Sequence, residues 1–381
     1  MTDTKNGKKR YPDLTSESLG PFTDENWDVS NNFLITFGDY SDFLIQEEDS
    51  RKSAGSNDET SEKSPTSSDD STSESNKEDD DKENNNNNKE KGKKISDEEM
   101  EIRRKRQMPL RKARDPANRT PLQGTPKVCL SFGGCGFLGS YQFGAAKMIY
   151  DHGKELLKRV DRFSGCSSGS LVATMLIFNP EKIPEAVEEI YKMADEVNET
   201  ALGAMSPGFV IGERLRKVVE RFVPDDISKA NNLLFVSVTR LKTWKNELIS
   251  HFDSKNDLID CLMASCYHPM YSSGLSGKAP ILRGEPYIDG GYSNILPEFL
   301  DKRTVSVTAF AGDADICPVE KSALFNDWMF AFFNQNMKVT FSNMKRVSNA
   351  LFPPPRGMLQ QYFDAGAKDA EKLLKEAGMY E

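Results

Sequence analysis

Two glycine-framed clusters restrict this chain more than anything else in it. Gly134-Cys135-Gly136-Phe137-Leu138-Gly139 and, about thirty residues further on, Gly165-Cys166-Ser167-Ser168-Gly169 each fall where a short apolar run gives way to residues with helical spacing. A chain that turns from strand to helix over bare glycine backbone presents N–H groups to whatever occupies the turn. The helix that follows aims its positive end at the same place. In the second cluster the turn also lifts the Ser167 hydroxyl clear of neighbouring side chains. A third cluster, Tyr287-Ile288-Asp289-Gly290-Gly291, offers a carboxylate as base. Together they point to acyl chemistry with Ser167 as nucleophile and a row of backbone donors for a developing oxyanion.

The flanking sequence supplies a scaffold for such turns. Residues 127–132 read as a strand, 139–152 as a helix, 162–164 as the lead into the Ser167 turn, and 168–178 as an apolar helix stopped by Asn179-Pro180. Amphipathic helices are predicted from Ile183 through Val197 and from Leu215 to Phe222, ahead of Pro224. Residues 233–241 and 247–252 read as a hairpin, 304–310 as a further strand, and 359–377 as a closing helix ended by Gly378. Repeated strand, turn and helix predict an α/β sandwich with a largely parallel central sheet flanked by helices. Ligands of such sheets sit beyond the strand C-termini, where both glycine turns fall.

Each cluster also has a plainer reading. Ser167 or Ser164 can serve only as a helix cap, and Asp289 before two glycines can be a turn former. GxGxxG after a strand is also a dinucleotide fingerprint, but the acidic residue expected about twenty residues on is missing, and Asp161 stands beside Arg162 at a strand start instead. The chain has three histidines, His152, His251 and His268. None follows Asp289, which excludes the serine, acid, histidine order of an ordinary α/β-hydrolase. His268 paired with Asp257 or Asp260 stays open as an alternative arrangement.

Composition divides the chain. Residues 50–100 are dominated by Ser, Asn, Asp, Glu and Lys, with too little apolar surface to offset the entropy of folding. The net charge of −9 conceals about −10 over residues 41–100 and roughly +6 over residues 101–120. Residues 1–123 are therefore predicted to be a disordered charged low-complexity tail and residues 124–381 a single domain. The basic stretch reads as a solvated linker or a contact for anionic headgroups, and the apolar island at residues 33–46 as a tether or partner motif. No nucleic-acid fold adjoins the basic stretch. No run reaches the about eighteen apolar residues of a membrane-spanning helix, and no signal core follows Met1, which predicts a cytoplasmic protein. The six cysteines (Cys129, Cys135, Cys166, Cys261, Cys266 and Cys317) have no CxxC or His partner at metal spacing, so free thiols, no metal and no cofactor are expected.

The three clusters resemble those of the patatin-like phospholipase family, in particular the animal branch containing adipose triglyceride lipase and adiponutrin. That family is marked by a GxGxxG oxyanion motif, a GxSxG nucleophile elbow and an Asp-Gly-Gly/Ala motif that completes a Ser-Asp dyad. The likeness extends to Leu130-Ser131-Phe132-Gly133 before the first cluster, Leu248-Ile249-Ser250-His251-Phe252-Asp253-Ser254-Lys255, Asp315-Ile316-Cys317-Pro318 and Ala350-Leu351-Phe352-Pro353-Pro354. It implies a patatin-like three-layer sandwich, Ser167 as nucleophile, Asp289 as its base, and an oxyanion hole of backbone N–H groups around Gly134, Cys135, Gly136 and Phe137. Gly139, Gly165, Gly169, Gly290 and Gly291 complete the motifs. The resemblance further implies a lipid acyl hydrolase of triacylglycerol lipase or phospholipase type, with a role in lipid catabolism and lipid-droplet homeostasis. Its implied partners are a lipid ester substrate, the surface of a lipid droplet or membrane touched peripherally, and an α/β-hydrolase-fold coactivator protein. An acyltransferase using the same dyad, or a weakly active regulatory protein of lipid surfaces, are the alternatives.

The chain departs from that branch after Gly291, where it reads Tyr292-Ser293-Asn294-Ile295-Leu296-Pro297 against the usual Ser-Asp-Asn-Leu-Pro, so an acidic residue and an amide are altered beside the dyad. An aromatic-rich stretch, Leu324, Phe325, Trp328, Met329, Phe330, Phe332 and Phe333, reads as core or as an interfacial contact.

Overall fold

A computed structural model of the 381-residue chain describes residues 121–206, 208–274, 277–320, 329–332 and 334–381. The predicted tail through residue 120, with its apolar island and basic stretch, lies outside the described residues. Of the aromatic-rich stretch, the backbone of a short strand at residues 329–332 is described.

Four strands form the parallel heart of the sheet: β1 (Val128–Phe132), β2 (Val160–Cys166), β3 (Leu234–Arg240) and β7 (Arg303–Val307). β1 lies between β2 and β7, and β2 pairs with β3. β1 and β3 are buried along their whole length, which is why both read as near-continuous apolar runs. β4 (Lys245–Ile249), β5 (Ile281–Leu282) and β6 (Glu285–Asp289) are antiparallel additions. β4 and β6 both pair with β3, and β5 pairs with β6.

The helices are α1 (Gly139–His152), α2 (Lys154–Arg159), α3 (Ser168–Phe178), α4 (Ile183–Glu199), α5 (Ile211–Phe222), α6 (Lys255–Ser265), α7 (Phe341–Leu351) and α8 (Arg356–Glu376). They flank the sheet, so the expected α/β sandwich with a largely parallel sheet is what the chain forms. α6, α7 and the β5–β6 hairpin were not predicted. Both helices start on a side-chain cap, Ser254 accepting the Asp257 N–H at 3.2 Å and Thr340 accepting the Asn343 N–H at 3.1 Å. Their polar residues had blurred the helical period.

The register of β3 brings remote parts of the sequence together. β4 pairs with residues Val236 to Arg240, β2 with Leu234 to Ser237, and β6 with Val238 to Arg240. A strand has two edges, and β4 overlaps both of the others. β2 and β6 must therefore share the opposite edge and meet end to end, Cys166 opposite Ser237 and Asp289 opposite Val238. These register positions are one residue apart, a rise of about 3.3 Å. Gly290 has no side chain because a Cβ there would stand 2.3 Å from the Ser237 carbonyl oxygen.

The closing helix α8 lies along α1 through two glycines. A Cβ on Gly144 would be 1.9 Å from the Phe363 carbonyl oxygen, and one on Gly366 would be 1.8 Å from that of Tyr141. Tyr141, fully buried, donates to Asp369 at 2.7 Å across the same contact. Because backbone cannot yield as a side-chain tip can, Gly144→Ala and Gly366→Ala should each destabilise the protein by about 1–3 kcal/mol. Urea unfolding of the full chain measures this, with an exposed Gly357→Ala control expected to cost far less.

Candidate active site

Ser167 sits between the last residue of β2 and the first turn of α3, at φ 52° and ψ −130°. A non-glycine residue held there carries about 1–3 kcal/mol of backbone strain. Packing enforces it. A Cβ on Gly169 would fall 2.2 Å from the Phe132 carbonyl oxygen, so α3 crosses the end of β1 at backbone contact. The Ser167 N–H donates to Ser265 Oγ at 2.9 Å, and that hydroxyl donates to the Ser237 carbonyl at 2.7 Å. The helix-cap readings fail here: the Ser167 side chain makes no capping bond, and Ser164 Oγ donates to the Pro297 carbonyl.

Asp289 ends β6 and is 1% exposed. Its two oxygens have different surroundings. Oδ1 accepts the Gly291 N–H at 2.6 Å and the Cys166 thiol at 3.4 Å. Oδ2 is buried and has no hydrogen-bond donor in line with it among the described residues. His268 Nε2 stands 3.2 Å from Oδ2, within ion-pair distance although the ring is not aligned as a donor. The turn-former role of Asp289 is also real, since the Gly291 bond is an N-cap. It engages one oxygen and leaves the other.

The segment after α6 ties the two residues together. Ser265 Oγ accepts the Ser167 N–H at 2.9 Å, and the Tyr267 carbonyl accepts the Asp289 N–H at 2.9 Å. His268 follows. The alternative pairings for His268 do not form, because Asp257 pairs with Arg283 and Asp260 with Arg216. The third group beside Asp289 was therefore visible in the sequence but attached to the wrong carboxylate.

Three thiols surround the pair. Burial pushes the Cys135 thiol up to about 12, and burial together with the Asp289 carboxylate raises Cys166 well above the ordinary range. Burial likewise raises Cys266. These cysteines are neutral donors at physiological pH, not nucleophiles. Burial opposes charge on His268, yet the neighbouring carboxylate outweighs it and the net shift is upward.

The first glycine cluster lies across the elbow. A Cβ on Gly134 would be 3.5 Å from Ser167 Cβ. The Gly134 N–H donates to the Ile295 carbonyl at 2.9 Å and the Cys135 N–H to Ser168 Oγ at 3.2 Å. Gly136 and Phe137 open a 3-10 turn, and their amides have no acceptor among the described hydrogen bonds. Gly136 has φ +53°, with a would-be Cβ only 2.1 Å from the Ala350 carbonyl oxygen. The altered residues after Gly291 hold this region in place: Ser293 Oγ lies 2.7 Å from Thr239 Oγ1, and the Asn294 amide donates to Asn246 Oδ1 at 3.2 Å.

A β-strand, sharp serine turn and helix facing a glycine-lined turn and a buried aspartate define an α/β protein of the patatin type, and the chain belongs to the patatin-like phospholipase family. The family model for patatin-like phospholipases matches residues 130–300. Human patatin-like phospholipase domain-containing protein 4 is 40% identical over 255 residues, covering 67% of this chain and 99% of that protein. Mouse patatin-like phospholipase domain-containing protein 2 is 33% identical over 251 residues, 66% of this chain and 50% of its own length. Human omega-hydroxyceramide transacylase is 34% identical over 247 residues, 65% of this chain and 45% of its own. The branch resemblance is borne out, although the chain spans only about half the length of the last two relatives.

Replacing Ser167 by glycine relieves the positive φ without disturbing the packing around it. Ser167→Gly should therefore be more stable than the wild type by about 1 kcal/mol, read as a higher denaturation midpoint, whereas Ser167→Ala, which keeps the strain, should show little of that gain.

Proposed function

We propose that this chain is a serine-dependent lipid acyl hydrolase working through a Ser167–Asp289 dyad. The observation that carries the reading is the divided carboxylate of Asp289: one oxygen is anchored, and the other is buried, lacks a donor in line and lies beside the serine elbow. A proton acceptor that has already shed its water loses nothing to resolvation when it takes the Ser167 proton.

In this mechanism Ser167 Oγ attacks an ester carbonyl and its proton passes to Asp289 Oδ2. The carbonyl oxygen becomes an oxyanion facing the Gly136 and Phe137 amides and the positive end of α3. The Gly134 amide, engaged with Ile295, shapes the turn. The Cys135 amide, held only by a neutral hydroxyl at 3.2 Å, is one for which a charged oxygen competes well. Asp289 then protonates the departing alcohol, and water releases the acyl group with the roles reversed.

Contact with a lipid surface is supported by apolar side chains near the oxyanion turn. The C-terminal end of α7 lies against Gly136, and the helix and its flanks expose Val339, Phe341, Met344 and Phe352, Phe341 at 79%. No helix among the described residues is long and apolar enough to cross a membrane. Triacylglycerol or phospholipid esters are the proposed substrates, with droplets or membranes touched from the side and an α/β-hydrolase-fold protein as a candidate coactivator. Acyl transfer is the second reading. It is favoured by relatives named omega-hydroxyceramide transacylase and 1-acylglycerol-3-phosphate O-acyltransferase, since an alcohol can take the acyl group in place of water.

Ser167→Ala should lower hydrolysis of p-nitrophenyl esters and of emulsified triolein at least about a thousandfold, and Asp289→Asn about 10²- to 10⁴-fold. A Ser167→Ala protein as active as the wild type overturns the reading. Phe341→Asp with Met344→Asp should leave soluble-ester hydrolysis within about twofold and cut the emulsion rate about tenfold or more, as expected when only surface binding is lost. Adding a lipid alcohol and analysing products separates transfer from hydrolysis.

A further inference from the structure

We infer that His268 is a positioning residue for the dyad: its imidazole, neutral, receives the hydrogen bond of protonated Asp289 and so sets how readily Asp289 takes the proton of Ser167. The inference rests on the hydrolase reading above, and it concerns a group that lies outside the serine and aspartate motifs.

The geometry is specific. His268 Nε2 is 3.2 Å from Asp289 Oδ2, the oxygen without an aligned donor, and Nδ1 is 3.3 Å from the Tyr292 hydroxyl. The ring also meets Tyr292 and Tyr271 edge to face, at 5.6 and 6.4 Å between centroids. Its own backbone N–H donates to Ser272 Oγ at 2.9 Å, so the segment is tied at both ends. The titratable groups facing it are Asp289 and Tyr292 from the end of β6 and the turn that follows, and Tyr271 from its own loop. Asp289 is the one whose charge acts on it appreciably.

Two protonation states of the ring have opposite effects. When His268 is an imidazolium, a positive charge beside Oδ2 favours the carboxylate over the acid and so opposes proton transfer from Ser167. When the ring is neutral with its proton on Nδ1, facing Tyr292, Nε2 carries a lone pair 3.2 Å from Oδ2 in place of an N–H, and a turn of the ring that brings the two into line lets it accept. As Ser167 Oγ attacks, its proton moves to Asp289 Oδ2, and the new O–H donates to Nε2. When the alcohol leaves, the same proton returns to it from Oδ2. His268 gains and loses no proton in the cycle. It stabilises the state in which Asp289 is protonated, and it does so only above its own ionisation. Because the carboxylate raises that ionisation, the switch lies above the ordinary histidine value of about 6.5.

The test uses the full chain and a soluble p-nitrophenyl ester. Wild-type kcat/KM should fall roughly tenfold per pH unit below a single ionisation above about 6.5. His268→Gln, which keeps an acceptor but cannot titrate, should lose that limb and exceed the wild type at acidic pH. An acid limb unchanged in His268→Gln overturns the inference. Nuclear magnetic resonance of labelled histidine supplies a readout independent of activity, since the chain has only three histidines and His268→Gln identifies the signal. The His268 titration should lie above about 6.5 in the wild type and move down in Asp289→Asn; an unmoved titration also overturns it. An active Ser167→Ala protein removes the hydrolase reading while leaving the histidine titration to be judged by itself. An inactive Ser167→Ala protein with coincident wild-type and His268→Gln pH profiles removes only the role of His268.

Discussion

The pairing of β3 is the constraint on which the site depends. One edge is occupied by β4, so β2 and β6 share the other and abut at Ser237 and Val238. The placing of Asp289 against the turn that carries Ser167 follows from that head-on meeting. β2 cannot continue straight into β6, so the chain must leave the sheet at Ser167, and it leaves as a helix because Gly165 and Gly169 permit backbone contact with each other and with β1. β6 cannot continue past β2 either, and it turns away at Gly290. Two strand ends that stop each other bring their last side chains, Cys166 and Asp289, into contact, with Ser167 the next residue along the chain.

That spot is dry, and its dryness explains the unusual chemistry of its neighbours. A buried carboxylate is costly unless it is hydrogen-bonded. Here the Gly291 amide and the Cys166 thiol satisfy one oxygen, while the other has a histidine at ion-pair distance. A thiol suits the place because burial keeps it neutral, so it donates weakly without adding charge. An arginine or lysine there would add a cation beside the carboxylate and, in the proposed mechanism, make it a weaker base for Ser167. The polar residues that follow Gly291 bind β3 and β4 and leave Oδ2 alone, which accounts for how the loop tolerates Asn294 where relatives have an acid.

Much of this was legible in the chain. Ser167, Asp289 and the glycine turns stood out because a sharp strand-to-helix turn admits few residue types, and α1, α3 and α4 were legible because their apolar spacing is unbroken. The β5–β6 hairpin was hidden: β5 has only two residues, and Pro286 in β6 is a residue that usually argues against a strand. With β6 unseen, the carboxylate had no position, and His268 was set against Asp257 and Asp260, its nearest acidic neighbours on α6. Both of those belong to arginine pairs, Asp257 with Arg283 and Asp260 with Arg216. The four amides expected to serve an oxyanion differ in a way sequence does not reveal, since Ile295 and Ser168 accept from two of them.

In the proposed mechanism the same packing lets an aspartate serve where many serine hydrolases use a histidine. A carboxylate exposed to water is too weakly basic near neutral pH to deprotonate a hydroxyl efficiently, and most of the deficit lies in the hydration that its charge gains. Asp289 is enclosed between β3, the elbow and the Cys266–His268 segment. What remains is to stabilise the acid form once the proton arrives, and for that a neutral acceptor close to Oδ2 is worth more than a cation. In the role inferred for it, the imidazole of His268 is such an acceptor when neutral and a cation when protonated. Ser167, Asp289 and His268 are all tied to one strap, Ser167 through Ser265 Oγ, Asp289 through the Tyr267 carbonyl and His268 by being its next residue, so the groups of the proposed dyad share one support.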